Sequence, residues 1–377
     1  MWYFRSPEIV FGEDAISYLS SLDIGKAAII TDRNLLKTDI PERVRKALPS
    51  GAASMVLGDV SEEPPLSEMI VHLEQIKEFS PDWFIGLGGG SAMDTAKILF
   101  VLYERPDLTV YDITPLVKLG LRKKSRLVAI PTTSGTGSEC TWAAMLSEGE
   151  EKRKNELASP EIIPDYAILD PSFVVSLPLE QTRDTACDAI VHAVEAYVST
   201  WRNPFSDAMA EKALELVLGG IEGVIKNPRN LELRNQVHIG ASMAGLAFSN
   251  SQLGLAHALG HALGAYFKIP HGKAVALVLP HVVEFNYDAC SDRYDNLNRI
   301  VPDRYRGTRL SDSLENFMAA IGQSRCGRDA GIDEKEFNSN LEALVSLATE
   351  STEIVPNPKD SSSADLRNLF IKAYEGP

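Results

Sequence analysis

The chain has 377 residues, of which 24% are charged and 44% hydrophobic, and its formal net charge is −15. This balance is typical of a globular protein with two domains, and the negative charge argues against binding to nucleic acid or anionic membranes. No apolar run approaches the ~20 residues that cross a bilayer, no secretory pattern opens the chain, and the four cysteines are scattered. We therefore expect a cytoplasmic protein without a nucleic-acid or membrane partner.

The first half of the chain alternates between short apolar runs, typical of buried strands, and stretches with helical periodicity. A short opening strand is predicted to end at Gly12, and further strands are predicted over residues 27–31, 53–57, 83–85 and 127–130. Helices are predicted over residues 14–22, 41–48 and 66–79. Strands that alternate with helices in this way predict a parallel sheet with helices on both faces.

Asp32 directly follows the strand predicted over residues 27–31. An acid at such a strand end can accept hydrogen bonds from an adenosine ribose and repel a 2′-phosphate, which would favour NAD over NADP. The alternative is that Asp32 caps the next helix. The pattern by itself leaves both interpretations open.

A glycine-rich turn, Gly86–Ser91, lies between a predicted strand and a helix that begins near Ala92. Glycines let a ligand approach the backbone closely, and a helix N-terminus offers free N–H groups, so the turn is suited to phosphate. Its sequence does not match the GxGxxG motif, and the turn could also be purely structural. Asp94, in the first turns of the helix, either lines this site or forms a surface pair with Lys97.

A second loop, Thr132–Ser138, follows another predicted strand and consists mostly of small residues with hydroxyl groups. Its hydroxyl and amide donors suit a phosphate, a ribose or a nicotinamide amide. Ligands of open α/β sheets bind at the carboxyl ends of the strands. Two such loops on one sheet therefore predict a dinucleotide-binding site.

Composition changes over residues 168–178, where two prolines bracket an expected connection between domains. Beyond it strand patterns nearly vanish, and helices are predicted over residues 179–200, 204–226, 231–249, 253–267 and 272–286, with further helices to the end. The sequence thus predicts a nucleotide-binding α/β domain over residues 1–176 and an all-helical domain over residues 177–377.

Three of the seven histidines, His257, His261 and His271, fall in one apolar stretch. The first two are four residues apart, and the same spacing relates Asp188 and His192 in another apolar helix. Burying imidazoles is costly unless they are hydrogen-bonded or bind a metal. One carboxylate with neutral imidazoles suits Fe²⁺ or Zn²⁺, and two such pairs favour a metal over separate core histidines.

The motifs GGGSAMDTAK, PTTSGTGSE, DAIVHAVEAYVS, NPFSDAMA and HALGHALGAYFKIPHG make the chain resemble the iron-containing (group III) alcohol dehydrogenase family. The resemblance extends from Glu8 to Gly376. It implies a Rossmann-like dinucleotide-binding α/β domain with a parallel sheet, followed by an all-α metal-binding domain, in a dehydroquinate synthase-like architecture. It also implies a homodimer or a larger homo-oligomer.

Carried over by position, the family's motifs assign roles to individual residues. The metal ligands would be Asp188, His192, His257 and His271, and His261 would lie beside the metal as a catalytic proton-relay residue. Phe248 and Trp142 would border the substrate pocket, although a core tryptophan is an equal alternative for the latter. The cofactor would be bound by Asp32, Gly88, Gly89, Gly90, Ser91, Thr132, Thr133 and Lys154, and the two loops add Asp94 and Ser138 as candidates.

The resemblance implies an enzyme that transfers a hydride between a small alcohol or diol and a nicotinamide cofactor, NAD or alternatively NADP, with Fe²⁺ or Zn²⁺ as the metal. A metal-dependent lyase of the dehydroquinate-synthase type, which uses NAD transiently, is the competing hypothesis. That reaction handles an anionic sugar phosphate and needs several cationic side chains near the metal. The sequence around the ligands offers only Lys268 and Lys273 in an otherwise apolar setting.

Overall fold

The computed structural model describes residues 3–60, 66–148 and 153–376, which form two compact units. The first, the sheet unit, is Arg5–Ser176; the second, the helical unit, is Leu177–Pro377 together with the described part of Met1–Phe4. The boundary between the two units lies between Ser176 and Leu177, and the functional assignment of the two domains stays a prediction. The segment before Arg5 differs from the prediction because the Phe4 ring packs against that of Phe205, with centroids 5.7 Å apart.

The sheet unit is built on six parallel strands in the order β1-β8-β5-β4-β2-β3. An antiparallel hairpin, β6 and β7, lies outside this sheet. The strands are β1 Glu8–Phe11, β2 Lys26–Asp32, β3 Ala53–Val60, β4 Trp83–Gly88, β5 Arg126–Pro131, β6 Ala143–Glu148, β7 Arg153–Ala158 and β8 Tyr166–Leu169, and the α-helices are α1 Ile40–Ala47, α2 Leu66–Phe79 and α3 Gly90–Glu104.

Both faces of the sheet are buried, as the continuous apolar strands require. Side chains alternate along β2, so that Ala28 and Ile30 join one core cluster while Ala27 and Ile29 join the cluster on the opposite face. A register match places Gly88, the last residue of β4, beside Pro131 at the end of β5. The loops after these two strands therefore begin side by side.

The helical unit contains eight α-helices among the described residues, packed around one apolar core. They are α4 Leu179–Val198, α5 Pro204–Lys226, α6 Leu231–Ser249, α7 Leu255–Phe267, α8 His271–Asn298, α9 Leu310–Ala320, α10 Glu334–Thr349 and α11 Ser363–Glu375. No helix in the described part of the chain is long and apolar enough to cross a bilayer. The α/β and all-α halves confirm the predicted fold class.

Four predicted elements need correction. Tyr166–Leu169 is a strand between β1 and β5. The sequence indicated the start of a connection there, because the four residues are followed by Asp170 and by Pro171, which begins a 3-10 helix. The hairpin formed by β6 and β7 was not predicted from the sequence. The helix predicted over residues 14–22 is a 3-10 helix over residues 15–21, and α8 runs on to residue 298 with a bend at Cys290 (φ −150°, ψ 38°).

Candidate metal and cofactor sites

In the helical unit, α4, α7 and the first residue of α8 bring the four predicted metal ligands together. Asp188 Oδ1 lies 3.6 Å from His192 Nε2, 3.7 Å from His257 Nε2 and 3.3 Å from His271 Nε2. All four potential ligand atoms lie within 4.8 Å of one another. The His271 side chain is 33% exposed and the other three at most 4%, so the cluster is closed except at His271.

Two glycines allow these helices to approach closely enough. A Cβ at Gly272 would lie 2.0 Å from the carbonyl oxygen of Asp184 in α4, and a Cβ at Gly260 would lie 2.9 Å from Cα of Val275. Neither neighbour is a flexible side chain, since both contacts are to backbone atoms. Glycine at these positions therefore lets α8 pack against both α4 and α7, which sets the position of His271.

The chemistry of the cluster fits a divalent metal ion. Asp188 Oδ1 and His257 Nε2 are shielded from solvent and have no hydrogen-bond partner among the described residues. Burial alone would raise the pKa of the Asp188 carboxyl, but His192 and His271 lower it well below its usual value. Partial burial lowers the pKa of His271, which favours the neutral imidazole that binds metals. An anionic oxygen facing imidazole nitrogens is the donor set that Fe²⁺ and Zn²⁺ accept.

Glu195 is a further residue of this site that the sequence analysis missed. Its Oε2 lies 2.5 Å from His257 Nδ1, and its Oε1 accepts a 2.5 Å hydrogen bond from the Ala256 N–H group. With Nδ1 of His257 engaged, Nε2 is the nitrogen that faces Asp188. A signal existed in the sequence, because residues 188, 192 and 195 share one face of a helix.

His261 lies next to the four clustered residues in α7. Its ring stacks on that of His271, with centroids 4.9 Å apart, and meets the His257 ring edge-on at 5.8 Å. Its Nδ1 is 3.2 Å from Glu353 Oε2, a contact that no local pattern in the sequence indicates. Burial alone would raise the pKa of Glu353, but the neighbouring His261 lowers it to about 2.

Phe248, at the end of α6, stacks on the ring of His192 with a centroid distance of 4.4 Å and an interplanar angle of 29°. Its half-buried side chain therefore gives the cluster an apolar flank. The proposed pocket role of Phe248 stays a prediction, as do the roles of the metal-binding residues and His261.

In the sheet unit, the two predicted loops touch at the ends of β4 and β5. The N–H group of Thr132 donates a 2.9 Å hydrogen bond to the Gly88 carbonyl, and a Cβ at Gly89 would lie 3.5 Å from Thr133 Cγ2. The Thr133 hydroxyl oxygen is shielded from solvent and lacks a hydrogen-bond partner in the described ranges. Gly89 caps α3, which begins at Gly90, so free backbone N–H groups are available there.

Gly88 needs its conformational freedom, because its φ is +151° and a Cβ there would lie 2.8 Å from that of Ala92. Ser91 lies in the first turn of α3, where its carbonyl accepts a 2.7 Å hydrogen bond from the Thr95 hydroxyl. The structure thus gathers the predicted glycine turn and the predicted threonine loop at one edge of the sheet. This arrangement is suited to a pyrophosphate.

Asp94 and Ser138 are engaged with Lys97 in a buried cluster. The Lys97 ammonium donates to Ser138 Oγ (2.9 Å), Thr141 Oγ1 (3.0 Å) and the Ala143 carbonyl (2.7 Å), and lies 3.4 Å from Asp94 Oδ1. Asp94 also accepts a 2.5 Å hydrogen bond from the Ser138 hydroxyl. The surface-pair alternative for Asp94 and Lys97 is wrong, since their side chains are only 11% and 1% exposed. Both link α3 to the second loop.

Asp32 both caps the following turn and faces the glycine turn. Its Oδ1 accepts hydrogen bonds from the N–H groups of Asn34 (2.8 Å) and Leu35 (3.0 Å). Its Oδ2 would lie 3.4 Å from a Cβ placed on Gly88. Capping is therefore present, and it does not exclude a contact with ribose.

For two other predicted residues, Trp142 and Lys154, the described contacts do not indicate a role in binding. Trp142 lies just before β6, is half-buried, and accepts a 2.9 Å hydrogen bond at its carbonyl from the Ser159 N–H group. Lys154 belongs to β7, and its side chain lies outside the part of the chain that is described. Both assignments stay predictions.

Comparison with known proteins relates both halves of the chain to one family. Residues 6–171 match the family described as "Iron-containing alcohol dehydrogenase", and residues 182–374 match the "Fe-containing alcohol dehydrogenase family, C-terminal". An NADPH-dependent butanol dehydrogenase of Clostridium saccharobutylicum is 32% identical, with 98% of this chain and 97% of that protein covered. An iron-containing alcohol dehydrogenase structure from Thermococcus thioreducens, 31% identical, covers 100% of both chains with a TM-score of 0.91.

Some relatives are much longer. Aldehyde-alcohol dehydrogenase 2 of Entamoeba histolytica is 33% identical over 99% of this chain, but the chain spans only 46% of that protein's length. The chain therefore corresponds to about half of such a protein, whereas it matches the butanol dehydrogenase over nearly its full length.

Proposed function

Because the chain belongs to the iron-containing alcohol dehydrogenase family, we propose that it transfers a hydride between a small alcohol or diol and a nicotinamide cofactor. The observation that carries this proposal is the convergence of Asp188, His192, His257 and His271 on one point. A metal ion bound there would act as a Lewis acid on an alcohol or carbonyl oxygen, and the nicotinamide would accept or donate the hydride.

The residues of the helical unit would prepare the reacting oxygen. Asp188 supplies the negative charge that offsets part of the charge of a divalent ion, and Glu195 keeps Nε2 of His257 directed at the cluster. The Phe248 ring, stacked on His192, gives the cluster an apolar flank. Small alcohols with short carbon chains suit such a surface better than highly charged substrates do.

The residues of the sheet unit would hold the cofactor. Backbone N–H groups at the start of α3 would bind the pyrophosphate, the Thr133 hydroxyl would donate to the cofactor, and Asp32 would accept hydrogen bonds from the adenosine ribose. Asp32 favours NAD over NADP in this proposal, although the related butanol dehydrogenase is named as NADPH-dependent. Iron is the metal that the family name indicates, and zinc would accept the same ligands.

The lyase alternative receives no support from the cationic residues near the ligands. The Lys273 ammonium lies 2.8 Å from Glu180 Oε1 and 3.9 Å from Asp184 Oδ2, so carboxylates already compensate its charge. Lys268 is exposed and ends α7 in a left-handed conformation. Neither lysine is arranged to bind the phosphate of an anionic sugar.

Metal analysis combined with activity assays tests the proposal. The purified protein is loaded with Fe²⁺ or Zn²⁺ and assayed for oxidation of NADH and NADPH with propanal, butanal and 3-hydroxypropanal. We expect about one metal ion per chain and metal-dependent reduction that a chelator abolishes. A stoichiometrically loaded protein that reduces none of these aldehydes with either cofactor would contradict the proposal. A cytoplasmic location and a homodimer or larger assembly are part of the same proposal, and light scattering measures the latter.

A further inference from the structure

Glu353 is remote from the predicted metal ligands in the sequence but next to His261 in the helical unit. Its Oε2 lies 3.2 Å from His261 Nδ1 and also accepts a 3.2 Å hydrogen bond from the Ser351 hydroxyl. The Glu353 side chain is only 13% exposed. A carboxylate buried to this extent is costly unless its charge is compensated. The imidazole of His261 is the ring that lies in place to donate a hydrogen bond to it.

The segment that carries Glu353 is hydrogen-bonded to two other parts of the helical unit. The side chains of Asn357 and Asn286 in α8 exchange two buried hydrogen bonds of 2.9 Å each. The Pro356 carbonyl accepts a 2.8 Å hydrogen bond from the N–H group of Thr200, just after α4. These bonds fix the backbone near Glu353, so its carboxylate is held against His261 and is not simply attracted to it.

The same arrangement occurs one helical turn earlier in α7. There Glu195 engages Nδ1 of His257, and Nε2 of that ring faces the predicted metal position. A carboxylate on Nδ1 fixes both the orientation and the tautomer of a histidine. We propose that Glu353 is a positioning residue for His261, which holds the proton on Nδ1 and leaves Nε2 as the nitrogen that exchanges a proton with substrate.

This inference rests on the proposed alcohol dehydrogenase function. During alcohol oxidation the substrate O–H bond breaks and an N–H bond forms at Nε2 of His261, so the ring becomes a cation. The anionic Glu353 stabilises that cation, and the proton then passes to solvent, because the His261 side chain is 26% exposed. Reduction of the aldehyde uses the same groups in the opposite direction.

A purely structural tie between residues 351–359 and α7 is the competing explanation. It predicts that removal of the Glu353 carboxylate lowers stability without changing which nitrogen of His261 is protonated. The two explanations therefore differ in the tautomer of the ring and in the way that Glu353 and His261 substitutions combine.

The first test is independent of catalysis. The Zn²⁺-loaded protein is labelled with ¹⁵N-histidine, and the His261 resonances are assigned by their absence in His261→Ala. We expect Nδ1 to be protonated in the wild type and to exchange between tautomers in Glu353→Ala. A wild-type His261 that is neutral with its proton on Nε2 would overturn the inference, even if no Glu353 variant could be folded. If Nδ1 is protonated but no aldehyde is reduced, the proposed function fails and the positioning role stands.

The second test measures kcat for aldehyde reduction in Glu353→Gln, His261→Ala and the double variant, with metal content and Tm recorded for each. General acid–base catalysis contributes about 10²–10⁴-fold, so we expect Glu353→Gln to lower kcat by about tenfold or more at unchanged metal content. In the His261→Ala background the same change should alter kcat less than about twofold. The exposed Glu342→Gln on α10 is the control. Multiplicative losses in the double variant would contradict a role exerted through His261.

Discussion

The helical and sheet units present two different kinds of binding site. In the helical unit the site consists of side chains, and two of their buried polar atoms, Asp188 Oδ1 and His257 Nε2, have no hydrogen-bond partner in the described part of the chain. In the sheet unit the side chains of Asp94 and Ser138 are already bonded to Lys97, so the backbone around Gly89 and the Thr133 hydroxyl are the groups available to a ligand.

The difference follows from the chemistry of the two ligands. A divalent ion requires a fixed set of donor atoms, which only particular side chains can supply. A pyrophosphate can be held by N–H groups that every residue except proline carries, provided that no side chain blocks the approach. Substitutions of the clustered side chains in the helical unit should therefore act by removing atoms, whereas those in the glycine turn of the sheet unit should act by adding them.

The largest effect should come from removing a metal-binding side chain. His257→Ala or His271→Ala deletes one of four converging donors, so we expect both metal content and turnover to be lost. His281→Ala in α8, which lies outside the cluster, is the control that should retain the metal. Metal content is measured by mass spectrometry after dialysis, and full occupancy in either variant would remove the cluster as the metal site.

Adding atoms to the glycine turn should weaken cofactor binding and leave the metal in place. Gly89 has ordinary backbone angles (φ −77°), and a Cβ there would make only van der Waals contact with Thr133. Gly89→Val should therefore fold, and its branched side chain should raise the KM for NADH by up to about 100-fold, equivalent to one or two charge-assisted hydrogen bonds.

Gly88 is the informative contrast for this experiment. Its φ of +151° and the short approach to Ala92 mean that Gly88→Val should lower stability as well as cofactor affinity. Thermal unfolding distinguishes the two positions. A folded Gly89→Val with wild-type KM would show that the turn is only structural.

Glu195 tests how far the metal site depends on a residue that does not bind the metal. Glu195→Gln keeps an acceptor for the Ala256 N–H group but weakens the hold on His257 Nδ1. Outer-shell partners of this kind typically contribute 10–100-fold in metal affinity, and we expect about tenfold because the amide retains part of the contact. Competition with a chromogenic chelator measures the Kd. An unchanged Kd would mean that the packing of α7 alone orients His257.

The sequence predicted those features that repeat within one element. Asp188 and His192, like His257 and His261, are visible as pairs because an α-helix returns to the same face after four residues. The contact of Glu353 with His261 was not predictable, since it depends on how residues 351–359 pack against α7. Likewise, the sequence was equally compatible with a surface position for the buried Lys97, because its three acceptors lie in a distant part of the chain.

The strand β8 and the β6–β7 hairpin were not predicted from the sequence, and the reasons are local. The strand β8 is only four residues long and is followed by Asp170-Pro171, which resembles the start of a linker. Polar and apolar residues alternate only weakly in the hairpin formed by β6 and β7, because β7 has the sequence RKNELA, which is mostly polar. Asp32 shows the opposite case: capping engages its Oδ1, its Oδ2 faces the glycine turn, and the ribose contact stays a prediction.

Asp32 should produce the smallest effect, a change in the preference between NAD and NADP. Two charges about 4 Å apart interact by only a few kcal/mol near a protein surface, which still suffices for about tenfold discrimination. Asp32→Gly removes both the charge and the cap on Asn34 and Leu35, whereas Asp32→Asn keeps an acceptor for the cap and removes only the charge. If repulsion sets the preference, both variants should shift the ratio of kcat/KM toward NADPH. If capping alone matters, Asp32→Asn should behave as the wild type. A wild type that prefers NADPH would remove Asp32 from the ribose site altogether.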